Sequence, residues 1–331
     1  MQEIEKLIAQ AETEVDELLA KRLESILNDL SQLYSKFVKS DESSYTDLNK
    51  YNRLSKELER IAQQLNEDYK NIVKMIEYSN QRIYVENYLM LAYLFEVYQS
   101  TEMGFSIPSE DVVAAALINP IEFLTLPKIL ENHRNEIVRK LHIEISQSLL
   151  AGEGYWKMAK RIENTVGFSR NKARLVARTE GGRAMSLADE AVTEQASEYC
   201  KITKVWMSSL DLRVRKSHQK LDGQEADKEG YFHYQGLKAK GPHLWNRANM
   251  DINCRCATID KINGHIPSIR RGKDYRDDEY QEKLANKIDE LMADESLTYA
   301  QAVKKAMKLV QPPSVEIPFQ TFEDWKKKYV V

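Results

Sequence analysis

The segment IEKLIAQAETEVDELLAKRLESILNDLSQLYSKF, residues 4–37, carries the clearest structural signal in this 331-residue chain. Its apolar residues recur at steps of three and four, which is the repeat of one face of an α-helix. They are Ile4, Leu7, Ile8, Ala11, Val15, Leu18, Leu19, Ile26, Leu30, Leu33 and Phe37. Such a stripe is buried against other helices of the same chain or against a partner. Burial inside a helical bundle is the favoured interpretation.

Helical periodicity continues to about residue 150. Similar patterns predict a second helix over residues 48–65 and a tyrosine-rich third helix over residues 69–98. Ser109 and Pro127 stand where an N-cap and a first-turn residue would open two further helices. No period of 20 to 50 residues recurs, which disfavours a solenoid.

The pattern changes in the second half of the chain. Ser169 is placed to cap a helix that reaches toward residue 199, and Gly181-Gly182 would weaken the middle of that helix. Residues 202–208 and 252–259 have the composition of short strands. A helical tail follows the basic, glycine-containing segment 264–273, which is predicted to be a linker. In the tail, Thr298 and Gln301 suit a capping box.

These patterns predict a mostly α fold in three parts. A long-helix N-terminal domain covers residues 1–150, and a small α+β domain covers residues 151–262. A linker and a helical C-terminal tail cover residues 263–331.

Composition excludes several classes of protein. The net charge of the chain is only −3, which indicates neither a nucleic-acid-binding protein nor an acidic tail. Three cysteines are too few for a disulfide framework, so a reducing compartment such as the cytoplasm is favoured. The N-terminus does not have the pattern of a secretory signal peptide. No apolar run approaches the roughly 20 residues that span a bilayer, so no membrane partner is expected.

Local charge identifies one basic segment. Residues 128–183 contain twice as many basic as acidic side chains, and Arg170, Arg174 and Arg178 fall on one side of a helix. The stripe could contact the phosphates of double-stranded DNA or an acidic partner. A solvated helix face explains it equally well.

Five short motifs follow one another between residues 178 and 258. In order they are Arg178-Thr179-Glu180, Lys204-Val205-Trp206, Asp211-Leu212-Arg213-Val214-Arg215-Lys216-Ser217-His218, Leu221-Asp222-Gly223-Gln224 and Ile252-Asn253-Cys254-Arg255-Cys256. The series resembles the phage Mu F-like minor head proteins, over roughly residues 170–260. Two features depart from the family pattern. The loop Gly241–Met250 lacks the proline- and aspartate-rich character usual in that family. The family has a single prominent arginine, for which both Arg213 and Arg215 are candidates here.

The resemblance implies a minor capsid protein of a tailed bacteriophage that acts in head morphogenesis and DNA packaging. Such a protein would be a virion component inside the head, assembled in the bacterial cytoplasm. The portal protein and the inner capsid surface are the implied partners, and packaged or ejected DNA is a further candidate.

Several motif residues have structural interpretations. Asp211 can pair with Arg213 or Arg215, because a guanidinium grips a carboxylate through two hydrogen bonds. Asp222-Gly223 is a turn signal, in which glycine permits a positive φ angle.

Zinc is a possible cofactor. If residues 252–259 form a strand, Cys254 and Cys256 point to the same side, and His218 could be a third ligand. His233 or His243 could be the fourth. Because Cys-x-Cys departs from the usual zinc spacing, buried thiols beside a histidine are the favoured interpretation, and no metal is assigned.

An enzyme is the alternative from a different class. His218 could act as a general base oriented by Asp211 or Asp222, with Arg213 or Arg215 stabilising a phosphate, as in a nuclease or toxin. The sequence has no glycine-rich phosphate loop or Gly-x-Ser-x-Gly motif. A non-enzymatic protein with no catalytic residue is therefore expected, and a zinc-stabilised DNA-binding module is a further alternative.

Overall fold

The computed structural model describes residues 2–37, 53–118, 125–151, 153, 155–293 and 297–330. Within these ranges the first part of the chain is helical. Its helices are α1 (Gln2–Phe37), α2 (Arg53–Gln99), α3 (Glu110–Leu117), α4 (Leu126–Leu150) and α5 (Tyr155–Ala196). Ser109 caps α3 and Pro127 lies in the first turn of α4, as predicted.

The second part of the chain alternates short strands with short helices. They are β1 (Ile202–Met207), α6 (Lys216–Leu221), β2 (Phe232–Tyr234), β3 (Leu237–Ala239), α7 (Ala248–Asp251), β4 (Ala257–Ile262), β5 (Ile269–Lys273), α8 (Asp278–Met292), α9 (Tyr299–Leu309), β6 (Ser314–Pro318) and α10 (Phe322–Tyr329). Strand β1 pairs antiparallel with β4, β2 with β3, and β5 with β6. The predicted mostly α fold with a small α+β part is confirmed.

The chain forms two compact units. The first comprises Met1–Gln195 and His243–Cys254, and the second comprises Ala196–Pro242 and Arg255–Val331. The predicted division into residues 1–150, 151–262 and 263–331, which was drawn from sequence patterns, stays a prediction.

The core of the first unit is built by α1, α2, α4 and α5. The stripe of α1 is buried as expected, with Val15, Leu19, Ile26 and Leu30 fully enclosed. Full burial of an aliphatic side chain of this size contributes about 1.5–3 kcal/mol. The α1 stripe therefore serves the protein's own core.

Helix α2 joins the two helices predicted over residues 48–65 and 69–98. Residues 48–52 lie outside the described part of the chain, and the helix runs unbroken from Arg53 to Gln99. The prediction of two separate helices was wrong. Residues 66–68 are polar, but they include no proline or glycine that would end a helix. Leu65 and Tyr69, four apart, are both buried and continue one face.

Helix α5 is also continuous, and Ser169 lies within it rather than at its start. The Gly181-Gly182 pair is tolerated there because both glycines lie where other side chains approach the backbone closely. A Cβ atom at Gly182 would come within 2.6 Å of Cε1 of His243. The space beside α5 thus requires glycine.

Two predictions for the second half of the chain were wrong. The strand begins at Ala257 rather than Ile252, because α7 and the following turn occupy residues 248–253, where Asn253 has a φ of +56°. Cys254 and Cys256 therefore precede β4 and do not share a strand face. The segment predicted as a basic linker contains β5, which pairs with β6.

The C-terminal tail is part of the second unit. Its capping box at Thr298 and Gln301 is formed as predicted. Trp325 is fully buried, in a cluster with Phe322, Ile317 and Tyr275. Among the described residues, none of the helices has both the length and the apolar content to cross a membrane.

Candidate functional site

Asp222 is the most connected carboxylate of the motif region. It follows α6, and its Oδ1 accepts hydrogen bonds from the backbone and hydroxyl of Ser208, each at 2.8 Å. The guanidinium of Arg270 donates to both carboxylate oxygens, at 2.6 and 3.0 Å. The backbone N–H of Phe322 donates to Oδ2 at 2.7 Å. One buried carboxylate thus joins β1, β5 and α10.

Gly223 forms the turn after Asp222 with a φ of +79°. Its N–H donates to the Trp206 carbonyl at 2.9 Å, and the Trp206 N–H donates to the Gln224 carbonyl at 2.9 Å. The Leu-Asp-Gly-Gln motif therefore runs along β1. The turn predicted from Asp-Gly is confirmed, and its role is to hold this segment beside the strand.

Asp211 pairs with Arg255 of the Asn-Cys-Arg-Cys motif. The guanidinium of Arg255 donates to both oxygens of Asp211, with Nη2 at 2.8 Å from Oδ1. Burial would raise the pKa of Asp211, but the hydrogen bonds and charge of Arg255 hold the pKa below its usual value. Two motifs that are distant in sequence are joined by this pair.

Arg213, one of the two arginines proposed from sequence as partners of Asp211, makes a longer contact than Arg255 does. Arg213 lies 3.7 Å from Asp211 with a mostly exposed side chain, and its backbone N–H donates to the same carboxylate at 2.8 Å. Arg215 precedes α6 as its N-cap residue. The main pairing expected for Arg213 or Arg215 is thus made by Arg255.

His218 lies in the interior of the second unit. Its Nδ1 atom is 3.3 Å from Sγ of Cys256, and its ring meets Trp206 edge-on with 5.7 Å between the centroids. Trp206 is fully buried and also packs on Phe232. Imidazole, thiol and indole groups are thus brought together in a region shielded from water.

Cys254 and the two candidate fourth ligands, His243 and His233, have the following neighbours. Cys254 is buried at the end of the first unit, where its N–H donates to the Asp251 carbonyl at 3.2 Å. His243 packs on Gly182 in the first unit, whereas Nε2 of His233 lies 2.6 Å from the exposed Asp227. The sequence assigned no metal to these residues, and that expectation stays a prediction.

The Arg-Thr-Glu motif lies in the middle of α5. The Thr179 hydroxyl donates to the Leu175 carbonyl at 2.7 Å and accepts the N–H of Asn253 at 3.1 Å. Burial raises the pKa of Glu180, whose carboxylate lies 3.4 Å from the equally buried Arg183. Thr179 therefore anchors the turn of the Asn-Cys-Arg-Cys motif within the first unit.

The predicted DNA-binding arginines lie against α1. Arg170 makes a two-bond pair with Asp16, at 2.9 and 2.6 Å. Arg178 and Arg174 lie 3.0 and 3.8 Å from the carboxylate of Glu12. Acidic side chains offset much of the positive charge of the stripe, and DNA contact there stays a prediction.

Comparison with known proteins gives the family. A family model described as Phage Mu protein F like protein matches residues 139–259. Minor head protein GP7 of Bacillus phage SPP1 is 42% identical over 272 residues, which is 82% of this chain and 88% of that protein. The chain belongs to the phage Mu protein F-like family.

Two further relatives match this Mu F-like protein over smaller regions. NAD(+)-arginine ADP-ribosyltransferase EFV of Enterococcus faecalis is 30% identical over 208 residues, which is 61% of this chain but only 43% of that enzyme. An uncharacterized protein of Haemophilus influenzae is 25% identical over 144 residues, 43% of this chain and 29% of its own. No solved structure matches the chain.

The motif series recognised in the sequence therefore identified the family of this Mu F-like protein correctly. Sequence reasoning missed Arg270, which was assigned to a linker although it is the buried partner of Asp222. The sequence around Arg270 gives no usable signal, because in β5 the apolar Ile269 is exposed whereas Arg270 is buried. Asp222, its partner 48 residues earlier, could not be identified from the sequence.

Proposed function

We propose that this protein is a minor component of the phage head that acts during procapsid assembly, in association with the portal protein and the inner capsid surface. The observation that carries the proposal is the 42% identity to a minor head protein over most of both chains. Membership of the Mu F-like family assigns the chain to head morphogenesis.

The geometry of the motif residues supports a structural use. Asp222 and Asp211 are held by Arg270 and Arg255 in buried or half-buried pairs, and their hydrogen bonds join separate segments of the second unit. Carboxylates engaged in this way are needed to maintain the fold, because removing one partner leaves an uncompensated buried charge. The enzyme alternative using His218 would require one of these carboxylates to orient the imidazole instead.

The relative named as an ADP-ribosyltransferase does not change this proposal. The match to this enzyme leaves more than half of the enzyme uncovered. The match to the minor head protein, in contrast, covers 88% of that protein. An activity belonging to the uncovered part of the enzyme would not be shared by this chain.

Quantitative mass spectrometry of heads and virions, made with and without the gene, tests the proposal. We expect a few copies per particle, and fewer or DNA-poor heads when the gene is deleted. Binding of the full chain to purified portal protein of the same phage tests the association with the portal. Absence from particles together with normal virions after deletion would contradict the head role.

A second experiment tests the enzyme alternative. The gene-deleted phage is supplied with a His218→Gln variant whose circular dichroism matches that of the wild type. We expect normal heads and no DNA cleavage by either protein. Cleavage by the wild type that the variant has lost would support a nuclease.

A further inference from the structure

The last three turns of α2 present an exposed apolar surface. We call it the Tyr93 face, and it consists of Leu89, Tyr93, Leu94, Val97 and Tyr98. Between 41% and 65% of the area of each of these residues is exposed. Spacings of four residues place Leu89, Tyr93 and Val97 in one row, with Leu94 and Tyr98 in the next.

The opposite side of the same turns is used by the first unit's own interior. Tyr88 and Phe95 are buried there, and the Tyr88 hydroxyl lies 2.8 Å from the Ser106 carbonyl. The helix is therefore apolar around most of its circumference at this end. Soluble proteins seldom expose a contiguous apolar patch of more than a few hundred Å² unless it binds something.

The charges of the sequence segment that contains the Tyr93 face have a single sign. Residues 83–127 contain no lysine or arginine but six acidic residues. Among the described ones, Glu86 is exposed one turn before the face, and Glu102 is exposed just after the helix. Exposed Glu110 and Asp111 begin α3, which contacts α2.

This charge pattern limits the kinds of molecule that can bind the Tyr93 face. In a two-fold dimer through the same face, the acidic groups of one copy would lie beside those of the other, and like charges at an interface are costly. DNA and anionic lipid headgroups are repelled for the same reason. A protein surface that is apolar at its centre and basic at its edge complements both features.

We infer that the Tyr93 face is a docking surface for another protein of the head, one that presents an apolar patch or groove bordered by lysine and arginine. The identity of the partner class rests on the proposed function. The docking surface itself rests on the exposed tyrosines, a residue type enriched among the few that carry most of the binding energy at interfaces, and on complementary charge, which speeds encounter.

Incorporation of variants into heads tests the inference. A Tyr93→Lys change places a charge at the centre of the face, and a Tyr78→Lys change places the same charge on an exposed tyrosine of the same helix outside the face. Both side chains are exposed, so we expect unchanged helix content and melting temperature. Copies of the Tyr93→Lys variant per head, counted by mass spectrometry, should fall about tenfold, as for loss of a binding hot spot. The Tyr78→Lys variant should be incorporated normally.

A charge variant tests the basic border. Glu86→Lys combined with Glu102→Lys should reduce incorporation and make the remaining association less sensitive to salt. Equal incorporation of the Tyr93→Lys variant and the wild type would overturn the inference while leaving the proposed function intact. Absence of the wild type from heads would overturn both.

Two further results would assign the face to another occupant and so overturn the inference. One is wild-type self-association in sedimentation that Tyr93→Lys abolishes, which would indicate a second copy of the chain. The other is binding to phosphatidylglycerol vesicles that the same change abolishes.

Discussion

The side chain of Asp222 accepts hydrogen bonds from three segments of the second unit, at Ser208, Arg270 and Phe322. Asp222 and Arg270 are both almost completely buried. Loss of one partner leaves the other charge uncompensated, which costs about 3–5 kcal/mol. We expect Asp222→Asn to lower the free energy of unfolding by about that amount in urea titrations followed by tryptophan fluorescence.

An exposed ion pair between β5 and β6, next to Arg270, provides the matched control for Asp222. Glu316 lies 3.7 Å from Arg271, and both side chains are more than half exposed. Such pairs contribute about 0–1 kcal/mol, so Glu316→Gln should change the free energy of unfolding very little. Similar losses in the two variants would show that the buried pair has no special role.

Asp211 gives the second unit a specific dependence on pH. The pKa of Asp211 is lowered from 3.8: burial opposes this shift, and the hydrogen bonds and charge of Arg255 produce it. The unfolded chain therefore binds a proton more readily than the folded chain. The stabilisation is present above the unfolded pKa and is lost as pH falls through the lower folded pKa.

An Arg255→Met variant tests this dependence. Removal of the guanidinium takes away the two largest causes that lower the pKa of Asp211 while burial still raises it, so the folded-state pKa should rise. We expect the stability of the variant to decline less than that of the wild type between pH 5 and pH 3, measured by urea unfolding at each pH. Parallel pH profiles for the two proteins would remove Asp211 as the cause.

Zinc content decides between the two interpretations of the buried thiols. Because the Cys-x-Cys spacing departs from the zinc pattern, we expect well below one zinc per purified chain by elemental mass spectrometry. Cys200, which is half-buried and outside the motif, is the control. One zinc per chain that is lost in Cys254→Ser and Cys256→Ser but kept in Cys200→Ser would establish a metal site.

At the scale of elements, two glycines of α5 make a matched pair. Gly167→Ala meets no atom within 4 Å and should stabilise the protein by up to about 1 kcal/mol, since alanine favours helix. Gly182→Ala places a Cβ atom against the ring of His243 and should destabilise by about 1–3 kcal/mol. Thermal unfolding of both variants checks the difference. Equal stabilisation would mean that His243 moves aside without cost.

The same helix shows how far sequence reasoning reaches. Periodic burial predicted α1 and most of the helical part, because a helix face depends on neighbours three and four residues apart. Gly182 was interpreted as a weak point, since its reason for being glycine is His243, sixty-one residues later. Pairs such as Asp211 with Arg255 and Asp222 with Arg270 are likewise set by the folded chain. The family motif could therefore be recognised, but its internal pairings could not.

At the scale of the whole molecule, a net charge of −3 hides an unequal distribution. The basic segment 128–183 contains the arginines of α5, but α1 places Asp16 and Glu12 against them. The positive field available to a DNA phosphate is smaller than the sequence suggests, because each carboxylate offsets a guanidinium at close range. Weak binding to double-stranded DNA at physiological salt is the expected result for the wild type.

Removal of the two carboxylates should expose the stripe. We expect Glu12→Gln combined with Asp16→Asn to strengthen binding to a short DNA duplex, with an affinity that falls more steeply as salt rises. Fluorescence anisotropy between 50 and 200 mM salt checks this expectation, because three phosphate contacts would change the affinity by roughly 40-fold over that range. If the wild type already binds tightly and Arg174→Ala with Arg178→Ala weakens it, the ion pairs open for DNA. The stripe would then be a nucleic-acid surface despite its acidic partners.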